Sequence, residues 1–224
     1  MDFDAARHNM VESQLRPNNV TEPRLIETMG RLPREKFVPI ARRAIAYCDE
    51  CVEVAPADGE GGGPRYLMEP MTFGRLVQLS AVTKSDLVLD IGCATGYSAA
   101  VLGHLADAVV AVEEIESMAE EAGNLLTELG VDNAAVLVGR LSEGNAQQGP
   151  YDVIILEGSV QQVPDGLFAQ LKEGGRLVAV VEEAGVGQTK LYQKSGNTIS
   201  ERTGLGANAK PLPGFEAARE EFVF

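Results

Sequence analysis

Two acidic residues and a turn of small residues form the part of this sequence best suited to chemistry. Asp90 lies in an apolar, partly β-branched run, and Gly92 and Gly96 frame three small residues directly after it. Glu113 ends the next β-branched run. Backbone N–H groups in a glycine turn are open to a ligand, and a carboxylate can accept hydrogen bonds from both hydroxyls of a ribose. The spacing predicts a nucleotide site with Glu113 on the ribose, and we interpret Glu114 as an acid at a helix start.

The elements that would position these residues follow from the apolar pattern. Short runs rich in β-branched residues predict five buried strands, at 87–91, 109–112, 135–138, 153–156 and 176–181. Helical patterns separate these runs, one of them at 163–171, and two alternating runs around residues 195–197 predict a final hairpin. We therefore predict an α/β fold, a Rossmann-like seven-stranded mixed sheet with flanking helices and an N-terminal helical extension.

Such a sheet binds its ligands beyond the carboxyl ends of the strands, at the point where the strand order reverses. The residues that follow the first four strands should therefore converge. The predicted cofactor-binding residues are Asp90, Gly92, Cys93, Ala94, Gly96, Tyr97, Glu113, Gly139, Arg140 and Glu157.

The composition argues against several classes of protein. The chain has 224 residues and a formal net charge of −14, whereas binding to nucleic-acid phosphates needs clustered Lys and Arg, so we expect no nucleic-acid partner. No apolar run reaches the roughly 18 residues of a membrane span, and the first residues lack a secretory signal. The 3 cysteines, an odd number, favour reduced thiols. We expect a cytoplasmic protein that does not bind membranes; the sequence does not fix its oligomeric state.

The N-terminal third predicts helices and loops. Helical patterns cover residues 4–15 and 21–29, and a glycine-rich loop at 59–65 precedes a further helix. We divide the chain into an N-terminal helical segment, 1–68, and a cofactor-binding domain, 69–224. The loop is either a plain surface loop or a lid over the cofactor site.

One cysteine pair invites a metal or redox interpretation. Cys48 and Cys51 are three positions apart, but a zinc site would need two more ligands. The only further candidates are Cys93, His8 and His104, and no second pair is present. We therefore expect no metal.

The turn after the first strand favours one cofactor. The dinucleotide fingerprint G-x-G-x-x-G is absent, and no convincing catalytic His or Tyr–Lys pair is present, which disfavours a nicotinamide-dependent oxidoreductase. The pattern Asp90-x-Gly92-x-Ala94-x-Gly96 resembles the first motif of class I S-adenosylmethionine methyltransferases, with Ala94 where that family often has a third glycine. This cofactor carries an ammonium group and a sulfonium but no phosphate, so an acid near the turn suits its charge.

A more specific resemblance covers roughly residues 10–185. The segment 32–38 (LPREKFV), the turn 90–97 and the acid Glu113 resemble protein-L-isoaspartate O-methyltransferases, and the helix and strand entry at 163–178 are similar too. The resemblance implies a class I methyltransferase fold, S-adenosylmethionine as cofactor and no metal. It also implies a protein or peptide substrate with isoaspartyl residues, whose α-carboxylate is methylated to repair damaged protein.

The sequence departs from this family ahead of the first strand. Met68 and Glu69 stand at the family's Ser-x-Pro motif, whose serine lies near the reacting groups, and they are the candidate catalytic positions here. Glu69 would repel a carboxylate acceptor unless it is turned away or paired with Arg65.

A second departure follows the third strand. The family's Gly-Asp-Gly is Gly139-Arg140-Leu141 here, and Arg140 cannot accept the hydrogen bond that the acid accepts on the adenine side. Glu157 is a partial substitute. The resemblance favours isoaspartyl repair as the function, and the alternative is a cofactor-binding homologue without repair activity that acts as a regulator or on another acceptor.

Overall fold

The computed structural model describes residues 1–57 and 63–216. Its α-helices are α1 (Phe3–Met10), α2 (Pro23–Met29), α3 (Pro70–Ser80), α4 (Tyr97–Leu105), α5 (Glu116–Glu128) and α6 (Asp165–Ala169). Its strands are β1 (Val52–Ala55), β2 (Arg65–Leu67), β3 (Leu87–Ile91), β4 (Ala108–Glu113), β5 (Ala134–Val138), β6 (Tyr151–Val160), β7 (Leu171–Glu183), β8 (Val186–Ser195) and β9 (Thr198–Gly206). Most of the loop at 59–65 lies outside the described residues, so its role as a lid stays a prediction.

Strands β3 to β9 form one seven-stranded sheet in the order β5-β4-β3-β6-β7-β8-β9. The first five strands in this order are parallel, and β8 and β9 add an antiparallel hairpin. Asp90 of β3 lies opposite Ala111 of β4 and Ile155 of β6. The predicted α/β class and seven-stranded mixed sheet are confirmed.

The sheet has a buried apolar core on each face. Successive residues of a strand point to opposite faces, so Val88 packs in the core that contains α3 and α4, and Leu89 packs in the core that contains α6 and Leu212. Because both faces are covered, the parallel strands are apolar on both sides, which explains their continuous hydrophobic runs.

The N-terminal helices pack on the first of these cores. α1 continues into a π-helical turn that ends at Leu15, and the predicted helices at 4–15 and 21–29 are confirmed. Leu15 and Val20 lie close against α3, since a Cβ at Gly74 would be 3.3 Å from a methyl group of each. The small residue allows this close approach.

The end of β6 differs from the sequence prediction. The strand ends later than predicted, at Val160, because the C-terminal segment pairs with it. The N–H of Ser159 donates to the carbonyl of Lys210, and the N–H of Leu212 donates to the carbonyl of Ser159, both at 2.8 Å. Glu157 therefore lies inside β6 rather than after it.

The helix predicted at 163–171 is shorter than expected. Pro164 is extended, with ψ of 140°, and α6 begins only after it. Leu171 already belongs to β7, where it pairs with Tyr151 of β6. Pairing with a neighbouring strand overrides the local helical pattern at this end.

Two expectations concern the chain as a whole. The division into residues 1–68 and 69–224 stays a prediction. Across the described ranges 1–57 and 63–216, no helix combines the length and the apolar character that crossing a membrane requires.

Candidate functional site

The turn between β3 and α4 lies at the carboxyl edge of the sheet, where β3 is flanked by β4 and β6. Gly92 and Gly96 have φ of +85° and +93°, which glycine adopts without strain. Ala94 has φ of +50°, a left-handed conformation that costs an alanine about 1–2 kcal/mol. The N–H of Gly92 donates to the carbonyl of Val112 at 2.8 Å, which fixes the turn against β4.

Asp90 lies beneath this turn and is fully buried. Its Oδ2 accepts a hydrogen bond from the hydroxyl of Ser98 in α4 at 2.7 Å, whereas its Oδ1 has no partner within the described parts of the chain. Burial raises the pKa of Asp90 to about 7, and the negative charge of Glu113 adds to this rise, while the Ser98 hydrogen bond opposes it. Asp90 is thus an acid with one free acceptor atom.

Glu113 at the end of β4 is also fully buried, but it has four donors. Its Oε2 accepts from the N–H of Ala94 and from Nη2 of Arg65, both at 2.9 Å. Its Oε1 accepts from the backbone N–H groups of Glu114 at 2.9 Å and Ile115 at 3.2 Å. A carboxylate has about four lone-pair sites, so this one is saturated.

Arg65 of β2 thus lies inside the site, with its side chain 4% exposed. A Cβ added at Gly92 would be 3.0 Å from Nη2 of Arg65 and 2.6 Å from Cδ1 of Leu212, so both side chains lie directly on that glycine. The hypothesis that Arg65 pairs with Glu69 is wrong, since its ion pair is with Glu113.

Glu69 is turned away from the turn. It occupies the N-cap position of α3 without a capping hydrogen bond from its side chain, and its Oε1 accepts a hydrogen bond from the hydroxyl of Thr72 in that helix. Burial raises the pKa of Glu69, and the Thr72 hydrogen bond partly opposes this. Met68 is buried and lies beside the turn, in the wall of a small cavity with Cys93 and Glu157.

Arg34 joins the segment that precedes β1 to this site. Its side chain is fully buried and donates to the carbonyl of Met68 at 2.6 Å and to that of Ala46 at 2.7 Å. Its guanidinium carbon lies 4.7 Å from the ring centroid of Tyr97, the first residue of α4. Burial lowers the pKa of Arg34, and the facing Tyr97 opposes this.

Glu157 and Cys93 complete the buried polar cluster. Glu157 Oε1 has no partner among the residues that the structure describes, and burial raises the pKa of Glu157 well above its usual range, with Asp90 adding to the effect. Burial likewise raises the pKa of the Cys93 thiol. In residues 1–57 and 63–216, no group of three or more His, Cys, Asp or Glu side chains is arranged to hold a metal.

In the part of the chain that the structure describes, small cavities adjoin the turn, and two of them matter here. One is lined by Arg65, Leu212 and Lys210, the other by Arg34 and Tyr97, and Met68 and Glu157 line both. Each has a volume of about 10 Å³, room for about one water molecule. Neither cavity has room for a nucleoside as it stands, and Arg65 and Leu212 are the side chains that lie on Gly92.

The structure brings most of the predicted site residues together. Asp90, Gly92, Cys93, Ala94, Gly96, Tyr97, Glu113 and Glu157 surround the turn. Gly139 lies at the edge of this group, and its N–H donates to the carbonyl of Glu113 at 3.1 Å. Arg140 does not join the group, because its side chain is 75% exposed and pairs with Glu143 at 3.4 Å.

The comparison with known families is decisive. The model of the family described as protein-L-isoaspartate(D-aspartate) O-methyltransferase matches residues 6–207 of this chain. The chain belongs to this family. Curated protein-L-isoaspartate O-methyltransferases are similar: that of Trichlorobacter lovleyi is 32% identical over 215 residues, covering 96% of each chain. That of Rhodopseudomonas palustris is 38% identical over 172 residues, covering 77% of this chain and 76% of its own length.

Solved structures agree on the fold. A protein-L-isoaspartate O-methyltransferase structure superposes with a TM-score of 0.79 at 26% identity, over 93% of this chain and 66% of its own length. A Plasmodium falciparum structure of the same description, in complex with S-adenosyl-L-homocysteine, superposes with a TM-score of 0.73 at 17% identity, over 91% of this chain and 96% of its own length. The predicted family and the class I methyltransferase fold are confirmed.

The sequence analysis did not predict three residues that lie at the site of this isoaspartyl methyltransferase: Arg34, Arg65 and Leu212. Arg34 lies in the segment 32–38, which carries the family resemblance, so this segment could have indicated that Arg34 belongs to the site. Arg65 and Leu212 reach the turn from distant parts of the chain and carry no motif of their own. Only the folded structure places them.

Proposed function

We propose that this chain transfers the methyl group of S-adenosylmethionine to the α-carboxylate of L-isoaspartyl residues in damaged proteins. Membership of the family supports this function. The observation that carries it is the position of Glu113, a buried acid at the end of β4 beside the glycine turn. The resulting ester closes to a succinimide, which hydrolyses partly to normal aspartate.

The residues present suit this cofactor. Glu113 can accept a ribose hydroxyl once one of its four donors leaves, and Gly92, which has no Cβ, lets a ligand approach the backbone once the side chains of Arg65 and Leu212 move off it. Oδ1 of Asp90 and Oε1 of Glu157 are buried acceptors that lack a partner among the described residues, and each can receive a hydrogen bond from an ammonium or amino group. The bound cofactor would supply an electrophilic methyl group on a sulfonium.

The chain's own contribution is alignment. An isoaspartyl carboxylate is already ionised, so the transfer needs no strong base. Glu69 is turned toward Thr72, which removes its charge from the path of an incoming carboxylate. Holding the reacting atoms in line can be worth about 7–11 kcal/mol, which is the role we assign to the residues around Met68.

The substrate in this proposal is a protein or peptide with isoaspartyl residues.

The three cysteines, Cys48, Cys51 and Cys93, are free thiols. The cytoplasmic location and the lack of nucleic-acid and membrane partners stay predictions from the sequence.

A paired-peptide assay tests the proposed function. The chain is incubated with methyl-labelled S-adenosylmethionine and either an isoaspartyl peptide or the same peptide with normal aspartate. We expect base-labile label on the isoaspartyl peptide and none above background on the aspartyl peptide. Binding of S-adenosylhomocysteine without label transfer to either peptide would contradict the proposed acceptor.

A further inference from the structure

Arg65 occupies a position on Glu113 that a ribose would need. The four hydrogen bonds to Glu113 leave it no free acceptor site. Three of the donors are backbone N–H groups of the turn and of the chain after β4, which are fixed by the fold. Arg65 is the side-chain donor, so it is the group that can leave when a ribose hydroxyl arrives, and its departure frees one acceptor site on Oε2.

A displaced Arg65 has a place beside the reaction centre. Its side chain already lines the small cavity that Met68, Glu157 and Lys210 also line. Lys210 holds its ammonium group 5.7 Å from the ring centroid of Tyr66, the neighbour of Arg65 in β2. Two cations thus lie at one cavity, in a protein with a formal net charge of −14.

A guanidinium freed from its carboxylate in a buried site needs a new anion, because an unpaired buried charge is strongly destabilising. Met68, at the family's serine position, offers the acceptor no hydrogen bond from its side chain. Arg guanidinium groups bind carboxylates with two parallel hydrogen bonds. With Glu157 Oε1, which lines the same cavity, assigned to an amino group of the cofactor, the free guanidinium and the acceptor carboxylate each supply what the other lacks.

We propose that Arg65 is a substrate-binding residue that exchanges partners, from Glu113 before the cofactor binds to the acceptor carboxylate afterwards. This inference rests on the proposed function. The cofactor must bind first, since Arg65 is held by Glu113 until a ribose hydroxyl replaces it. By linkage, each ligand then raises the affinity of the other by the same factor.

Calorimetry on wild type and two variants tests the exchange. The ligands are S-adenosylhomocysteine and a peptide with one isoaspartyl residue, titrated separately and together. In wild type we expect saturating S-adenosylhomocysteine to raise peptide affinity by about 5- to 150-fold, the usual range of such coupling. Arg65→Gln should bind S-adenosylhomocysteine at least as tightly as wild type, bind the peptide weakly, and lose the coupling. Arg202→Gln, which removes an exposed cation of β9, should behave as wild type.

The outcomes separate this inference from the function on which it rests. Wild type that does not bind S-adenosylhomocysteine would overturn the proposed function itself. Wild type that binds both ligands without coupling would overturn the exchange alone, and this comparison needs no variant to fold. Weaker binding of S-adenosylhomocysteine by a folded Arg65→Gln, or coupling that survives in it, would also overturn the exchange.

Discussion

Asp90 and Glu113 are two buried acids with different surroundings. Glu113 has four donors, one of them the Arg65 guanidinium, whereas the described partner of Asp90 is the Ser98 hydroxyl. Burial therefore raises the pKa of Asp90 to about 7. One acid thus has its acceptor sites filled, and the other takes up a proton near neutral pH.

The raised pKa of Asp90 makes protein stability depend on pH. Between its unfolded pKa near 3.8 and its folded pKa of about 7, the folded state holds a proton that the unfolded state has lost. The free energy of unfolding therefore falls as pH rises through this window, by up to about 1.4 kcal/mol per pH unit. Asp90→Asn cannot titrate, so we expect a shallower fall in urea unfolding series across these pH values.

The exposed acid Asp107 provides the matched control for this series. Asp107→Asn should keep the wild-type slope, because the substituted group lies in solvent. Equal slopes in wild type and both variants would show that Asp90 loses its proton as readily in the folded state as in the unfolded chain.

At the scale of elements, Arg34 and Phe37 explain why the segment 32–38 belongs to the site. Arg34 bonds the carbonyl that precedes α3 and stacks on Tyr97 of α4. The Phe37 ring packs edge-on against Tyr97 with centroids 5.5 Å apart, and its carbonyl accepts from the Thr95 hydroxyl at 2.5 Å. This segment therefore holds the cofactor turn against the chain that leads into α3.

Replacing Arg34 should weaken the contacts that join the segment 32–38 to Tyr97 and to the chain that leads into α3. Arg34→Lys keeps the charge but cannot make both hydrogen bonds and stack on Tyr97, because an ammonium is not a planar fork. Losing one charged hydrogen bond should lower the free energy of unfolding by roughly 1.5–3 kcal/mol in chemical denaturation. Arg31→Lys, at an exposed arginine of the same region, should change it little. Equal stability of Arg34→Lys and wild type would mean that these contacts do not depend on the guanidinium.

At the scale of the whole molecule, the features that could be predicted from the sequence are those that depend on residues close together in the chain. Buried parallel strands are continuous apolar runs, and the left-handed turn needs glycine at Gly92 and Gly96. The sheet, the turn and the position of Glu113 could therefore be predicted. The family resemblance added the cofactor and the acceptor.

Contacts between distant segments could not be predicted in this way. Arg65 and Glu113 are 48 residues apart, and no periodicity links them. The extension of β6 depends on pairing with the C-terminal segment near Pro211. Arg140 points outward because it pairs with Glu143 of the short helical turn that follows it.

We infer that Glu113 holds the ribose of the cofactor, and its neighbour Glu114 offers a matched control. Glu114 is exposed, whereas Glu113 is fully buried. The most direct measurement is the rise in thermal midpoint that S-adenosylhomocysteine causes in Glu113→Gln, Glu114→Gln and wild type. A ligand at about 100 times its Kd stabilises the native state by about 2.7 kcal/mol. We predict that wild type and Glu114→Gln show this rise in full and that Glu113→Gln loses most of it. A full rise in Glu113→Gln, equal to that of wild type and Glu114→Gln, would contradict the assignment.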